Sequence, residues 1–265
     1  MPEFSANLST MFTETGFLDR FAAARANGFD AVEFQFPYAF APAQVAERLE
    51  QAGQQLVLHN LPPGDAAAGD RGMACDPNRV GEFQDSVGLA LDYAAVLGVR
   101  QLHCMAGLLP PAVSADRARD TYLSNLKFAA AELDEHGMRL LIEPINAFDV
   151  PGYFLTGTRQ AADIIADCGA DNLFLQYDIY HVQRMEGDPE ASIRALLALI
   201  GHIQFADAPG RHEPGTGAID FGRLFRLLDE LGYDGWVGCE YFPATDTVSS
   251  LGWRDKLTLS KMPRV

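Results

Sequence analysis

Short apolar stretches alternate with longer amphipathic segments along the whole chain. The candidate β-strands, apolar and β-rich, are Phe4–Leu8, Ala31–Phe36, Gln55–Asn60, Gln101–Ala106, Leu140–Ile145, Leu173–Tyr177, His202–Ala206 and Trp236–Tyr241. The candidate helices, with apolar residues at helical spacing, include Phe17–Ala26, Val80–Leu97, Ala115–Glu135, Arg159–Asp167, Pro189–Ile200 and Phe221–Leu231. Strand–helix alternation is typical of parallel sheets, and eight repeats are the number that closes a barrel.

The length of the chain and the glycines that end its predicted helices fit a single barrel. Its 265 residues match the ~250 residues of a usual (β/α)₈ barrel. Several predicted helices are followed by glycine, which accepts the left-handed conformation of a helix C-cap: Gly28, Gly53, Gly98, Gly137, Gly169 and Gly232. No linker or low-complexity tract divides the sequence. We therefore predict one α/β domain over residues 1–265, a (β/α)₈ TIM barrel.

Acidic residues end several of the predicted strands. Glu143, Asp178 and Glu240 each follow an apolar run, and Gln204 lies in a fourth strand. The C-terminal ends of barrel strands carry the active site, and buried carboxylates need a cation or shared protons. We predict that Glu143, Asp178, Gln204 and Glu240 form an oxygen-rich site suited to Mg²⁺ or Mn²⁺. Any one acid could instead cap a helix or pair with a base, and a metal requirement stays open.

Two long loops each carry an arginine. They span residues 61–77 and 208–217, follow predicted strands, and contain Arg71 and Arg211 respectively. Loops after barrel strands lie on the catalytic face, and a guanidinium can bind a substrate carboxylate. We predict that Arg71 or Arg211 binds substrate, and spacing does not rank the two.

Histidines near the predicted strand ends are further candidates. We expect His59 and His181 to lie near the barrel mouth, where a neutral imidazole can bind a substrate hydroxyl or a metal, although either could be structural. His103 could face the core, and His202 looks structural. Glu33 alternates with apolar neighbours and is expected to point into the barrel, as a support for the site or as a buried partner.

Composition restricts the partners and the location of the protein. A net charge of −16 disfavours nucleic acid, whose binding depends on Lys and Arg. No apolar run approaches the ~20 residues of a membrane span, and the N-terminus lacks signal-peptide features. Four cysteines without CxxC spacing indicate a reduced protein, so we expect it in the cytoplasm. Homo-oligomer formation stays open, with the segment after Trp253 and the aromatic residues at positions 36, 38 and 40 as candidate contacts.

With these residues identified, the chain resembles the hydroxypyruvate isomerase family of the xylose-isomerase-like barrels. The likeness spans nearly the full length. The matching stretches are Phe4–Leu8, Val32–Tyr38, His59–Asp65, Leu141–Asn146, Gln176–Gly187 and Gly235–Tyr241.

The resemblance implies isomerisation of hydroxypyruvate to tartronate semialdehyde through an enediolate, with Glu143 and Glu240 as the acid/base pair. It also implies a divalent metal at the four oxygen-ligand positions. A sister family isomerises 2-oxo-tetronates, and Met11–Glu14 resembles that sister, whereas Glu143–Asn146 and Tyr177–His181 resemble hydroxypyruvate isomerase. The expected substrate is a small anionic hydroxy-oxo acid. A sugar epimerase, an abasic-site endonuclease and a non-catalytic binding barrel are the alternatives.

Overall fold

The strands form one parallel sheet that closes into a barrel. The computed structural model describes residues 2–259. Its strands are β1 (Glu3–Asn7), β2 (Ala31–Glu33), β3 (Gln55–Leu56), β4 (His59–Asn60), β5 (Gln101–His103), β6 (Arg139–Ile142), β7 (Leu173–Asp178), β8 (Ile200–Phe205) and β9 (Trp236–Cys239). The order around the sheet is β3-β2-β1-β9-β8-β7-β6-β5-β4, and each neighbouring pair is parallel.

The third predicted strand is interrupted in the middle. Its first half, β3, pairs with β2, and its second half, β4, pairs with β5. Between them, the amide of Val57 donates to the Val32 carbonyl at 2.8 Å, and the amide of Asn60 donates to Gln35 at 2.9 Å. The two halves therefore run as one strand along β2. Eight strands close the barrel, which confirms the predicted fold class.

Helices follow the strands and pack around the barrel. They are α1 (Arg20–Ala26), α2 (Pro42–Ala52), α3 (Val80–Leu97), α4 (Ala115–Asp134), α5 (Thr158–Cys168), α6 (Ile179–Met185), α7 (Pro189–Leu196), α8 (Phe221–Glu230), α9 (Thr247–Ser250) and α10 (Trp253–Leu259). All six glycines predicted to follow helices have positive φ, for example +70° at Gly98. In helix α8 the apolar residues form one buried face, since Leu224, Phe225 and Leu228 are buried at spacings of three and four.

Two predicted segment boundaries need correction. The helix predicted over Pro189–Ile200 ends at Leu196, and Ile200 instead begins β8, where it pairs with Leu175 of β7. The strand predicted to begin at His202 therefore starts two residues earlier. The helix and the strand meet here within one apolar run, and its hydrophobic pattern does not show where the helix ends and the strand begins.

The segment after Trp253 is not a free tail within the described residues. It forms helix α10, and the Trp253 ring packs edge-on against Phe4 with ring centroids 5.1 Å apart. Residues 260–265 lie outside the described part of the chain. Two aromatic candidates for self-association pack within their own protomer. The ring centroids of Tyr38 and Tyr93 lie 4.9 Å apart, and Phe40 stacks on a neighbouring phenylalanine with ring centroids 5.3 Å apart. Oligomer formation stays a prediction.

Two expectations about compartment can be compared with the structure. Within residues 2–259, no helix combines the length and the apolar character needed to cross a membrane. The four cysteines, all of which are described, are free and buried, as expected for small apolar side chains. The cytoplasmic location itself stays a prediction.

Candidate active site

A cavity of about 310 Å³ opens at the C-terminal ends of the barrel strands. Its polar wall includes Glu143, Gln176, His181, Arg211 and Glu240. Apolar side chains complete the lining, among them Phe36, Met105, Ile145 and Val150. The volume lies at the small end of the ~300–1,000 Å³ typical of ligand pockets. Two of the three predicted acids, Glu143 and Glu240, thus meet in one small site with a mixed polar and apolar lining.

Glu143 follows β6 directly, and Pro144, which lacks a backbone donor, prevents the strand from continuing. The side chain is buried, and its Oε2 accepts a hydrogen bond from Gln176 Nε2 at 3.0 Å. Its Oε1 has no hydrogen-bond partner among the described residues. Burial, together with the charges of Glu240 and Asp178, raises the pKa of Glu143 well above its ordinary value.

Glu240 follows β9 and is held by several donors. Its Oε1 accepts from Asn7 Nδ2 at 3.2 Å and Gln35 Nε2 at 3.0 Å, and its Oε2 accepts from Arg211 Nη2 at 2.9 Å. Burial raises the pKa of Glu240, whereas Arg211 and the hydrogen bond from Gln35 oppose that rise. The ionised form of Glu240 is therefore better supported than that of Glu143, which accepts a single amide hydrogen bond.

Asp178 is the last residue of β7 and has two roles. Its Oδ1 accepts the amide of Tyr180 at 2.9 Å and so caps helix α6. Its Oδ2 is buried, lies 3.6 Å from Arg211 Nη2, and has no hydrogen-bond partner in the described part of the chain. Burial raises the pKa of Asp178 to about 7, against the opposing influence of Arg211.

Gln204 is covered by a neighbouring amide rather than open to the cavity. Gln204 Oε1 accepts a hydrogen bond from Gln176 Nε2 at 2.6 Å, and Gln204 Nε2 donates to Glu33 Oε1 at 2.7 Å. Gln176, which precedes Asp178 by two residues on β7, lines the cavity in its place. The prediction that Glu33 points into the barrel is confirmed, since its side chain is fully buried among these polar groups.

His181 directs one ring nitrogen towards the acids. Asn146 Nδ2 donates to His181 Nδ1 at 2.7 Å, while Asn146 Oδ1 accepts the amides of residues 148 and 149. The orientation of the Asn146 amide makes Nδ1 an acceptor, so the proton is on Nε2. Nε2 lies 3.6 Å from Glu143 Oε1 and 3.5 Å from Asp178 Oδ2. Burial keeps the pKa of His181 well below its ordinary value, and the ring is neutral.

His59 and His103 lie opposite to expectation, since His103 rather than His59 faces the cavity. His59 is buried beside Phe34, with ring centroids 6.3 Å apart, and is absent from the residues that line the cavity, which include Asn60. Adjacent strand residues point to opposite faces, so Asn60 rather than His59 faces the site. His103 lines the cavity 3.6 Å from Glu143 Oε2, and neither ring nitrogen has a hydrogen-bond partner among the described residues. Burial lowers the pKa of His103 to about 3.

The two arginines that line the cavity differ in burial and in whether they pair with acids. Arg211 is mostly buried against Glu240 and Asp178, and its guanidinium lies 5.1 Å from the centroid of the Tyr180 ring. Arg71 is exposed and donates to the carbonyl of Asp70 at 2.8 Å. It forms no salt bridge within the described chain.

Asp207 is a loop anchor rather than a ligand. Its carboxylate accepts the amides of Ala208, Gly215 and Gly217 at 2.8–2.9 Å. A Cβ at Gly217 would lie 2.0 Å from the Ala208 carbonyl oxygen, so only glycine fits there. The anchored loop carries Arg211, so its conformation sets where that guanidinium lies.

The donor set fits a hard divalent cation at one side of the predicted site. Side-chain atoms of Glu143, Asp178 and His181 lie within 4.8 Å of one another, although His181, with its proton on Nε2, adds no lone pair to the set. The free oxygens there are Glu143 Oε1 and Asp178 Oδ2, and oxygen donors suit Mg²⁺ or Mn²⁺. Glu240 and Gln204, also predicted as ligands, have their oxygens engaged by amide or guanidinium donors.

Sequence reasoning missed several residues of the site. Gln176 lies two positions before Asp178 on the same strand face, so strand periodicity could have identified it. His103 was left undecided between core and cavity. Asn7 and Gln35, which both donate to Glu240, belong to distant strands, and no local pattern connects them with residue 240.

Comparison with known proteins agrees with the barrel fold. The chain matches the family model for the xylose isomerase-like TIM barrel over residues 21–257. It is 50% identical to a 2-oxo-tetronate isomerase of Cupriavidus necator, over 96% of this chain and 97% of the relative. It is 48% identical to a hydroxypyruvate isomerase of Escherichia coli, over 96% and 99%. A crystal structure described as AP endonuclease, family 2, from Brucella melitensis superposes with a TM-score of 0.94 at 42% identity, over 97% and 99%.

Fold and site together define a barrel with a buried acid cluster at its catalytic face. The chain belongs to the xylose isomerase-like TIM barrel family. The predicted resemblance to the hydroxypyruvate isomerase family and the isomerase class are confirmed. The two named isomerases are almost equally similar to the chain, so similarity alone does not choose a substrate.

Proposed function

We propose that the protein interconverts hydroxypyruvate and tartronate semialdehyde by proton transfer through an enediolate. The observation that carries this proposal is the pair of buried glutamates, Glu143 and Glu240, which line one small cavity in different hydrogen-bonding environments. Two carboxyls of which one supports its ionised form better than the other are suited to act as base and acid.

Glu240 is the base in the hydroxypyruvate direction. Its carboxylate, held by Arg211, Asn7 and Gln35, takes a proton from the hydroxymethyl carbon (C3). The electron pair of the broken C–H bond forms the C2–C3 double bond of the enediolate. Glu143, whose protonated form is favoured, delivers a proton to C2, and the hydroxyl proton moves from O3 to O2. The reverse reaction exchanges the two roles.

The remaining cavity residues hold the substrate. Arg71 binds the substrate carboxylate, because it is the cavity arginine that forms no salt bridge with an acid of the described chain, and Asp70 beside it already accepts from Arg79 at 2.8 Å. His181 and His103 are neutral and can donate to the oxygens at C2 and C3.

A divalent cation fits the same chemistry. Asp178 Oδ2 would hold it, joined by Glu143 Oε1 only while Glu143 is ionised, and the ion would supply Lewis-acid stabilisation of the negative charge that develops on the substrate oxygens. Mg²⁺ and Mn²⁺ are the ions the donors favour. The proton transfers remain the work of the two glutamates.

A 2-oxo-tetronate is the second candidate substrate. The relative at 50% identity carries that name, and the four-carbon acid has the same reacting unit. Nucleic acid is disfavoured despite the description of the Brucella melitensis structure. The chain carries a net charge of −16, and one of the two arginines that line the cavity is already paired with acids.

An isomerase assay on the purified protein tests the proposal. Hydroxypyruvate and 2-oxo-tetronate are compared by kcat/KM, before and after EDTA and with Mg²⁺ or Mn²⁺ restored. We expect a higher kcat/KM for hydroxypyruvate and a loss of rate with EDTA. A preference for the four-carbon acid would move the protein to the sister activity. No turnover of either acid, together with epimerisation of a ketose or cleavage of abasic DNA, would refute the proposal.

A further inference from the structure

A buried carboxylate lies beneath the active site without touching the cavity. Glu33, at the end of β2, is completely buried, and its two oxygens accept four hydrogen bonds. Oε1 accepts from Asn7 Nδ2 at 3.2 Å and Gln204 Nε2 at 2.7 Å. Oε2 accepts from Ser5 Oγ at 2.8 Å and His202 Nε2 at 2.9 Å. Four donors fill the acceptor capacity of an ionised carboxylate.

The surrounding backbone makes room for this group. A Cβ at Gly238 of β9 would lie 2.4 Å from Glu33 Oε1, so glycine is needed there for the carboxylate to fit. Burial opposes ionisation, but His202 and the hydrogen bonds from Gln204 and Ser5 hold the pKa of Glu33 below its ordinary value. A buried carboxylate that accepts this many hydrogen bonds stays ionised and orients the polar groups around it.

An ionised carboxylate accepts hydrogen bonds and donates none, so it dictates which end of a neighbouring amide faces it. Gln204 must turn its NH₂ group to Glu33, which directs its oxygen to Gln176. Asn7 also turns its NH₂ group to Glu33, where one nitrogen bridges Glu33 and Glu240, and the Ser9 amide supports this orientation by donating to Asn7 Oδ1 at 3.0 Å. The reversed amides would place oxygen against oxygen at about 3 Å, an unfavourable contact in a dry interior.

Two chains of hydrogen bonds thus run from Glu33 to the two glutamates proposed for proton transfer. One chain passes through Asn7 to Glu240 Oε1. The other passes through Gln204 and Gln176 to Glu143 Oε2. Each chain delivers an N–H to one oxygen of its glutamate. On Glu143 this leaves Oε1 as the oxygen without a partner among the described residues.

We propose that Glu33 is a positioning residue that fixes the amide orientations of Asn7 and Gln204 and thereby selects the reactive oxygens of Glu143 and Glu240. The role rests on the proposed function for its catalytic consequence. It also means that Gln204 turns its oxygen to Gln176, whose NH₂ group then faces Glu143 Oε2.

A polarity swap tests this role. Glu33→Gln removes the acceptor-only group, so Gln204 is free to reverse. We expect kcat to fall ~10–100-fold with a smaller change in KM, as for partners that orient metal-site ligands. Gln204→Glu places two carboxylates against each other and should lower Tm by about 5 °C or more. The double variant Glu33→Gln/Gln204→Glu restores one donor facing one acceptor between residues 33 and 204, so it should recover Tm and kcat in part relative to the single variants, while the contact with Asn7 Nδ2 stays unmatched.

The control and a second readout separate this role from packing. Ser5→Ala removes a donor from the Glu33 oxygen that does not face Gln204, and it should leave kcat near the wild-type value. Mn²⁺ binding, followed by the EPR signal of the free ion, should weaken ~10–100-fold in Glu33→Gln and recover in the double variant. If Glu33→Gln does not fold, Gln204→Met breaks the chain to Glu143 and should lower kcat at least tenfold.

Either of two results would overturn the positioning role: wild-type kcat in Glu33→Gln or Gln204→Met, or a double variant no better than the sum of its parts. The Tm cycle and the Mn²⁺ titration require no substrate. If the wild-type protein turns over neither acid, the proposed function fails while these two measurements still decide the orientation of the amides.

Discussion

Replacing Asp178 with asparagine should stabilise the metal-free protein at alkaline pH while impairing the site. Burial raises the pKa of Asp178 from 3.8 to about 7. Between these values the folded protein holds a proton that the unfolded chain releases, so stability falls as pH rises. Three pKa units at ~1.4 kcal/mol each place this cost at ~4 kcal/mol at pH 8 and ~2 kcal/mol at pH 5.

Asparagine avoids this pH-dependent cost and keeps the cap, since its Oδ1 can still accept the Tyr180 amide. It removes one partner of Arg211, but the attraction between Arg211 and the ionised carboxylate is already included in the net pKa of Asp178, so it adds no separate contribution to the comparison. The gain of Asp178→Asn over wild type should therefore be ~2–3 kcal/mol larger at pH 8 than at pH 5. At ~2 °C per kcal/mol, the difference in Tm should change by about 5 °C.

Thermal unfolding with EDTA at the two pH values measures this directly, with Asp85→Asn on the exposed side of α3 as the matched control. The control should shift Tm equally at both pH values. An Asp178→Asn variant that is no more stabilised at pH 8 than at pH 5 would refute the argument that burial of the ionised carboxylate is costly here. Added Mn²⁺ should stabilise wild type more than Asp178→Asn.

Three further predictions follow from the site. Glu143→Gln and Glu240→Gln should each lower kcat ~10²–10⁴-fold, because each removes a proton-transfer group. Arg71→Met should raise KM ~10–100-fold with a small change in kcat, since a charged hydrogen bond contributes ~1.5–3 kcal/mol. Gly217→Ala should lower both Tm and kcat, because its Cβ would lie 2.0 Å from the Ala208 carbonyl oxygen and displace the loop that carries Arg211.

Steady-state kinetics and thermal melts check these variants. Near-normal turnover in either glutamine variant would remove that glutamate from the mechanism. Arg226→Met, on the exposed side of α8, is the control for Arg71→Met, and an equal rise of KM in both would show that only net charge matters. A Gly217→Ala protein with wild-type Tm and kcat would mean that the loop absorbs the added methyl group.

The barrel and its acids were predictable because each is encoded locally. Strand alternation, helix-ending glycines and acids at strand ends all lie within single segments. The partners of those acids were not predictable. Asn7 meets Glu240 across 233 residues of chain, and Gln204 meets Glu33 across 171. His59 was chosen where Asn60 faces the cavity, because a one-residue change in strand phase exchanges the two faces.

Catalysis in D₂O tests the central claim most directly. Hydroxypyruvate is converted by the wild-type protein, the product is trapped as it forms with O-benzylhydroxylamine, the aldehyde oxime is separated from the ketone oxime of unreacted substrate, and deuterium at C2 of the aldehyde oxime is measured by mass spectrometry. Spontaneous exchange without protein is subtracted. Proton transfer between two exchangeable glutamates predicts close to one solvent deuterium at C2 of each trapped product. A product without deuterium at C2 would contradict the account, because hydrogen would then pass between the carbons without leaving the substrate.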